Sequence, residues 1–304
     1  MNASDDERLA RATLCAIAEP GDGLLGALIA RVGAVGAVEV ARRGRPPADV
    51  VTDEKARLAE HVASWHVRLA TAEPAADLAR CEDLGGRMVC PGDPSWPSQL
   101  DDLGYQAPYA LWLRGPGDLA RGCQRAVAVV GARVATSYGL RVAADLAAEL
   151  AAGGWSVVSG GAVGIDAAAH QGAHAVGGDT LTVLGSGVDA PYPSSNGSLF
   201  AEMSMWGLLV SESPPGTDPT RLRFVLRQRV IAALTCGTVI VEAAARSGAL
   251  KAAQYARDLG RVVMAVPGPV TSRTSVGCHA LMRQHPPARC VTSAADVISD
   301  LTGT

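Results

Sequence analysis

Several turns in this sequence carry the residue types that hold an anion. The first reads Gly131-Ala-Arg-Val-Ala-Thr-Ser-Tyr-Gly139 and sets Arg133 beside the hydroxyls of Thr136, Ser137 and Tyr138. A guanidinium suits bidentate phosphate contact, and hydroxyls add donors. The second reads Ser159-Gly-Gly-Ala-Val-Gly-Ile-Asp166. Its glycines, Gly160, Gly161 and Gly164, let backbone N–H groups approach a ligand closely. The third, Gly185-Ser-Gly-Val-Asp189, is a weaker signal of the same kind. Further on, Arg221, Arg223, Arg227 and Arg229 surround Phe224, the densest basic run in the chain. A basic patch with an interleaved aromatic suits single-stranded nucleic acid, and a solvated helix face is the plain alternative. Glu242-Ala-Ala-Ala-Arg246-Ser247-Gly248 closes another apolar run. Glu242 could act as a base, or it could hold Arg246 or a loop amide in place.

Other chemistries lose support on the same residues. The first turn is neither G-x-G-x-x-G nor G-x-x-x-x-G-K-[ST], which argues against a dinucleotide fold and a P-loop ATPase. Asp166, His170 and His174 follow at i, i+4 and i+8 on one helix face, a spacing that can ligate zinc. No third His or Cys lies near them, and a carboxylate in a first helical turn favours the dipole without any ligand. His170 reads as a packed, hydrogen-bonded histidine. No metal or cofactor site is read, and no nucleophile, base and orienting group converge. The expectation is a binding protein with no catalytic residues.

The elements that must position these turns alternate. Strands are expected at Val127–Val130, Ser156–Ser159, Thr180–Leu184, Leu208–Val210, Thr238–Glu242 and Val262–Val266. Helices are expected at Leu140–Ala151, Ile165–Val176, Ser195–Trp206, Val225–Leu234, Leu250–Leu259, Gly277–Gln284 and Ala294–Leu301. Such alternation predicts an α/β fold with a doubly wound, mainly parallel, Rossmann-like sheet. The turns then lie beyond the carboxyl ends of the strands, where open sheets bind ligands and helix N-termini favour anions. Residues 1–82 read as a small helical domain, either SAM-like, helix-hairpin-helix-like or a plain bundle, with a turn at Arg31–Gly36. Residues 83–304 read as the core domain, including a bridging segment over 83–125 that holds a short strand at Ala110–Leu113. Ala252, Ala253 and Ala256 form a face that permits close packing, against either a second copy or the sheet itself.

Composition adds bounds. The 304 residues are 48% hydrophobic and 19% charged, with a formal net charge of −3. Any nucleic-acid contact must therefore be a local patch. Seven scattered cysteines with no C-x-x-C read as reduced thiols in a cytoplasmic protein. The acidic N-terminus does not read as a signal peptide, and no apolar run is expected to approach the roughly 20 residues of a membrane span.

Taken in order, these motifs resemble the DprA (Smf) DNA-processing family over about residues 20 to 300. The family's G-[ST]-R-x-x-[ST]-x-Y-G turn is similar to Gly131 through Gly139, and its S-G-x-A-x-G-I-D-x-x-A-H to Ser159 through His170. Val183 through Pro193, Ser211 through Gly216, Ile240 through Leu250, Val266-Pro-Gly268 and Pro91 through Pro97 match further family motifs. The chain departs at Val163, where members usually carry a basic residue, and at Gln228 and His279, where they usually carry asparagine. Some members end in a winged-helix domain, and none is expected in this sequence. The resemblance implies a cytoplasmic homodimer that binds and protects incoming single-stranded DNA and loads the RecA recombinase in natural transformation. It implies nucleic-acid contacts from Gly131, Arg133, Thr136, Tyr138, Ser159, Gly160, Gly161, Gly164, Asp166, Arg227, Arg229, Arg246, Ser247 and Gly248. A second resemblance, to LOG-type nucleoside-monophosphate phosphoribohydrolases, rests on Cys236-Gly-Thr-Val-Ile-Val-Glu242 with the glutamate at a different spacing.

Overall fold

The apolar runs form the middle of a nine-stranded sheet in the computed structural model, which describes residues 3–47 and 52–303. The strands are β1 (Gly86–Val89), β2 (Leu111–Arg114), β3 (Ala126–Val130), β4 (Ser156–Ser159), β5 (Thr180–Val183), β6 (Leu208–Ser211), β7 (Gly237–Ile240), β8 (Val262–Ala265) and β9 (Arg289–Cys290). Their order is β1-β2-β6-β5-β4-β3-β7-β8-β9. All pairs from β6 to β9 are parallel, while β1–β2 and β2–β6 are antiparallel. The sheet is doubly wound and Rossmann-like, as the alternation predicts.

Strands buried on both faces need continuous apolar runs, and β3 supplies one in Ala-Val-Ala-Val-Val. Its side chains alternate between two cores. Val127 and Val129 meet Ala143, Leu146 and Leu150 of α6 (Ser137–Ala152). Ala128 and Val130 share a core with Val230 and Ile231 of α9 (Arg221–Ala233), and with Ala252, Ala253 and Ala256 of α10 (Ala249–Asp258). Those alanines are fully buried within the chain, so their small size serves packing on the sheet. After β6 the chain crosses back through α9 to place β7 on the other side of β3. The carboxyl ends of β3 and β7 are therefore the topological switch point.

Four helices precede the sheet: α1 (Asp5–Ile17), α2 (Gly23–Arg43), α3 (Thr52–Leu69) and α4 (Pro74–Asp83). Their apolar faces share a core with Met88, Trp112, Leu199, Phe200 and Leu209. Gly33, at φ 74°, breaks α2 where a turn is expected. The membrane expectation needs correction, because α2 is long and apolar enough to span a bilayer by length and composition alone. Leu25, Leu28, Ala34, Ala37, Val38 and Val40 of that helix are buried inside the protein, which accounts for its apolar character. The short strands β1 and β9, the helix α5 (Leu119–Gln124) and a 3-10 segment at Ser98–Gln106 lie outside the sequence expectations. Each is too brief to establish a periodicity.

Candidate nucleic-acid interface

The first turn leaves β3 and is fastened from below. The backbone N–H of Gly131 donates to Asp166 Oδ1 at 3.3 Å. Thr136 caps α6 by accepting from the N–H of Gly139 at 3.1 Å. Its own hydroxyl donates to Glu242 Oε1 at 2.7 Å, and its N–H donates to Glu242 Oε2 at 2.9 Å. Thr274 donates to the same carboxylate at 2.9 Å. Glu242, at the end of β7, thus ties together the loops that follow β3 and β8. These bonds show Glu242 holding a loop amide. Thr136, expected as a nucleic-acid contact, is placed as the cap of α6 with its proton committed to Glu242. Tyr138 is exposed, and its hydroxyl donates to Pro267 O at 2.8 Å.

The second turn is packed rather than open. A Cβ on Gly160 would lie 2.7 Å from Arg227 Nη2 and 2.8 Å from Asp166 Oδ2. Gly164 has φ 86° and would bring a Cβ to 2.4 Å from Ala132 O. Gly131 and Gly161 are similarly crowded, by Ile165 and by Phe200. These glycines, expected to let backbone N–H groups approach a ligand, let one turn sit on the other. Ser159 is fully buried and donates to Val129 O at 2.7 Å. Asp166 is buried and accepts from Ala162 N at 3.3 Å as well as from Gly131. Burial pushes its pKa up, against the pull of Arg227 and of backbone N–H donors. Ser159 and Asp166, expected as nucleic-acid contacts, are both placed inside the protein.

The arginine run divides by depth. Arg223 binds Glu19 of the helical segment at 3.0 and 3.1 Å. Arg229 is 1% exposed, and its guanidinium donates to Glu212 at 2.6 Å. Expected as a nucleic-acid contact, it is placed in a buried ion pair. Arg227 differs. It is 3% exposed, yet its Nε and Nη1 have no acceptor. Burial brings its pKa down to about 10, opposed by Asp166 and reinforced by Arg133. It therefore stays charged at neutral pH. Its Cζ lies 4.7 Å from the Phe224 ring centroid, and Cζ of exposed Arg133 lies 5.3 Å from the same centroid.

These two arginines open onto one small cavity of about 70 Å³, completed by Ala162, Val163, Tyr192, Pro193 and Phe224. Tyr192 and Phe224 have ring centroids 5.6 Å apart. Buried guanidinium nitrogens without an acceptor are costly even with Asp166 nearby, and an anion in this cavity would supply one. Arg246 is exposed on the loop after β7, beside Ser247, whose hydroxyl accepts from Ala249 N, and Gly248, which caps α10. This group is outside the cavity lining. Tyr192, Val163 and Pro193 line the cavity and lie outside the contacts expected from the sequence. The Tyr-Pro pair after the third turn was the available signal.

The histidine row does not converge. The buried His170 ring is bonded on both nitrogens, to Thr180 at 2.7 Å and Thr182 at 3.1 Å, while His174 stacks on Trp206 at 3.7 Å. Burial, aided by Arg227, brings the His170 pKa down to about 3. An unfolded chain binds the proton near pH 6.5, so between about 3 and 6.5 the unfolded state holds more protons. Stability contributed by this site should fall as pH drops through that window. Thermal melts of wild type and His170→Asn at pH 7 and pH 4.5 check it. The wild type should lose more than the variant on acidification, and parallel losses would count against it.

The model of the family described as DNA recombination-mediator protein A matches residues 87–302. A Mycobacterium tuberculosis protein carrying the DprA name is 44% identical over 304 residues, covering 97% of this chain and 75% of the relative. DNA processing protein DprA of Streptococcus pneumoniae is 38% identical over 68% of this chain and 72% of its own length. The X-ray structure of the Streptococcus pneumoniae protein superposes with a TM-score of 0.76 at 27% identity, covering 98% of both chains. A structure of DNA processing protein A from Helicobacter pylori, concerned with its single-stranded DNA binding mode, gives 0.62 at 27% identity over 68% of this chain and 93% of that one.

Proposed function

We propose that this chain, which belongs to the DNA recombination-mediator protein A family, binds single-stranded DNA at the carboxyl edge of its sheet. A backbone phosphate rests between Arg133 and Arg227, and a sugar or base lies against Phe224 and Tyr192. The observation that carries this reading is Arg227, a buried guanidinium that has two nitrogens without a partner among the described residues and that lines the cavity Arg133 shares. The narrow site admits one strand's backbone, and base–aromatic contact is tolerant of sequence. Glu242, the carboxylate that a phosphoribohydrolase reading needs, is 3% exposed and held by Thr136 and Thr274, which favours binding over catalysis. Family membership supports the finer reading: a homodimer in the cytoplasm that protects incoming strands and loads RecA during transformation. Residues 1–82 act in it as a helical unit placed on a core of residues 83–304.

Affinity for single- and double-stranded oligonucleotides of equal length, measured at two salt concentrations, tests the assignment. The single strand should bind more tightly at both, with affinity falling as salt rises because phosphate neutralisation releases counterions. Equal affinity for the two forms would sink it.

A further inference from the structure

The cavity between Arg133 and Arg227 draws on the loops after β3, β4 and β5. The loops after β7 and β8 are fastened to the first of these. Thr136 and Thr274 donate to one carboxylate, Glu242, at 2.7 and 2.9 Å. Tyr138 donates to Pro267 O at 2.8 Å, and the N–H of Ala243 donates to Thr274 O at 2.6 Å. The three loops thus form one platform, and each carries an exposed arginine: Arg133, Arg246 and Arg273. Residues 131–139, 243–250 and 266–279 contain no aspartate or glutamate, in a chain whose acidic residues outnumber lysine and arginine by 30 to 27. Glu242, which ties the loops together, is buried. The charge that the platform offers to solvent is therefore positive. The other direction along the edge differs. Past β5 and β6, Arg221 and Arg223 share the surface with Asp189, Asp218 and Glu19, and Arg223 is already bound to Glu19. The platform also carries apolar tips. Val134 and Val270 are 86% and 87% exposed, the most exposed large apolar side chains among the described residues, and the exposed Tyr138 ring is fixed by its hydroxyl.

We propose that a strand anchored in the cavity leaves it across this platform, toward β8. The path rests on the carboxyl-edge reading and gives it a direction. Backbone phosphates meet Arg246 and Arg273, and bases lie on Tyr138, Val134 and Val270. An exposed guanidinium takes a phosphate without giving up another partner. A base needs only an aromatic or apolar surface, so these contacts are tolerant of sequence. Loops without a carboxylate repel no phosphate, whereas Asp189 and Asp218 would.

Two oligothymidylates, of about 5 and about 16 nucleotides, separate the cavity from the platform. Their affinities for the full chain are measured by anisotropy across salt, in wild type, Arg246→Ala/Arg273→Ala, Arg246→Lys/Arg273→Lys and Val270→Asp. Replacing exposed Arg121, at the amino-terminal edge of the sheet, with alanine is the control for diffuse charge. The alanine pair should weaken the long strand about tenfold, leave the short one nearly unchanged, and reduce the long strand's salt slope by roughly 0.7 per lost phosphate contact. The lysine pair should retain most of the affinity, since it keeps the charge. Val270→Asp, which adds a carboxylate to the platform, should weaken the long strand alone. An unchanged long strand in the alanine pair overturns the path, as does an equal loss at both lengths or an equal loss in Arg121→Ala. Arg133→Ala tells this failure from that of the site. Loss at both lengths beside an inert alanine pair overturns the path only, and no loss at either length overturns the carboxyl-edge site and the path with it.

Discussion

Replacing Arg133 with alanine is expected to weaken single-stranded DNA binding about tenfold or more, on the order of 1.5–3 kcal/mol for a charge-assisted hydrogen bond. Arg133 follows β3 at the switch point of the sheet, and it is the exposed one of the two guanidiniums on Phe224. Val163 contributes an apolar wall to the cavity and no charge. The phosphate therefore depends on these two arginines more heavily. Losing one contact should also flatten the salt dependence by roughly 0.7 in log–log slope. Thermal stability should hardly move, because the side chain faces solvent. The decisive comparison is anisotropy titration of wild type and variant across salt, with melting curves alongside. Unchanged affinity in a variant that melts early would mark Arg133 as a structural residue. The anion site would then have to rest on Arg227 alone.

How much of this was legible in the sequence depended on whether the signal was local. The continuous apolar runs of β3, β4 and β7 declare strands buried on both faces, and Gly131 and Gly160 mark where those strands end. From that, the edge of the sheet and the position of Arg133 follow. Arg227 and Arg229 could not be told apart in the same way. They are the same residue type two positions apart, roughly 200° around the helix. One faces the cavity and the other faces Glu212, which is distant in sequence. The direction of the helix face is set by tertiary packing. Thr136 illustrates the same limit. A hydroxyl at the start of a helix reads as a donor or as a cap, and only the arrival of Glu242 from β7 decides between them.

The glycines misled for a related reason. A Gly-rich turn at a strand end permits close approach, but the sequence does not say what approaches. At Gly160 the neighbours are the Arg227 and Asp166 side chains, so the freedom is used inside the protein. That use still serves the site indirectly. A side chain at Gly160 would push Arg227 out of the place from which it faces the cavity. The turn thus sets the position of the buried charge.

Arg229→Ala should have the opposite signature to Arg133→Ala, a large loss of stability. Arg229 and Glu212 are almost wholly buried and joined through both terminal guanidinium nitrogens. The same side chain donates through Nε to Gln106 O at 2.9 Å and through Nη1 to Leu226 O at 3.1 Å. It so links α9 to the 3-10 segment and to the end of β6. Gly21 lies against it too, since a Cβ there would come within 2.7 Å of Nε. Removing the arginine leaves a buried carboxylate uncompensated, which typically costs about 3–5 kcal/mol. Removing both charges is a different experiment. The double variant Arg229→Met/Glu212→Leu discards the desolvation cost along with the attraction, and well-packed apolar replacements of buried pairs are often neutral. The double variant should therefore recover much of the single variant's loss in denaturant unfolding. DNA affinity per folded molecule should stay near wild type in it, because neither residue lines the cavity. A fully stable Arg229→Ala protein with weakened strand binding would reverse the assignment and return Arg229 to the interface.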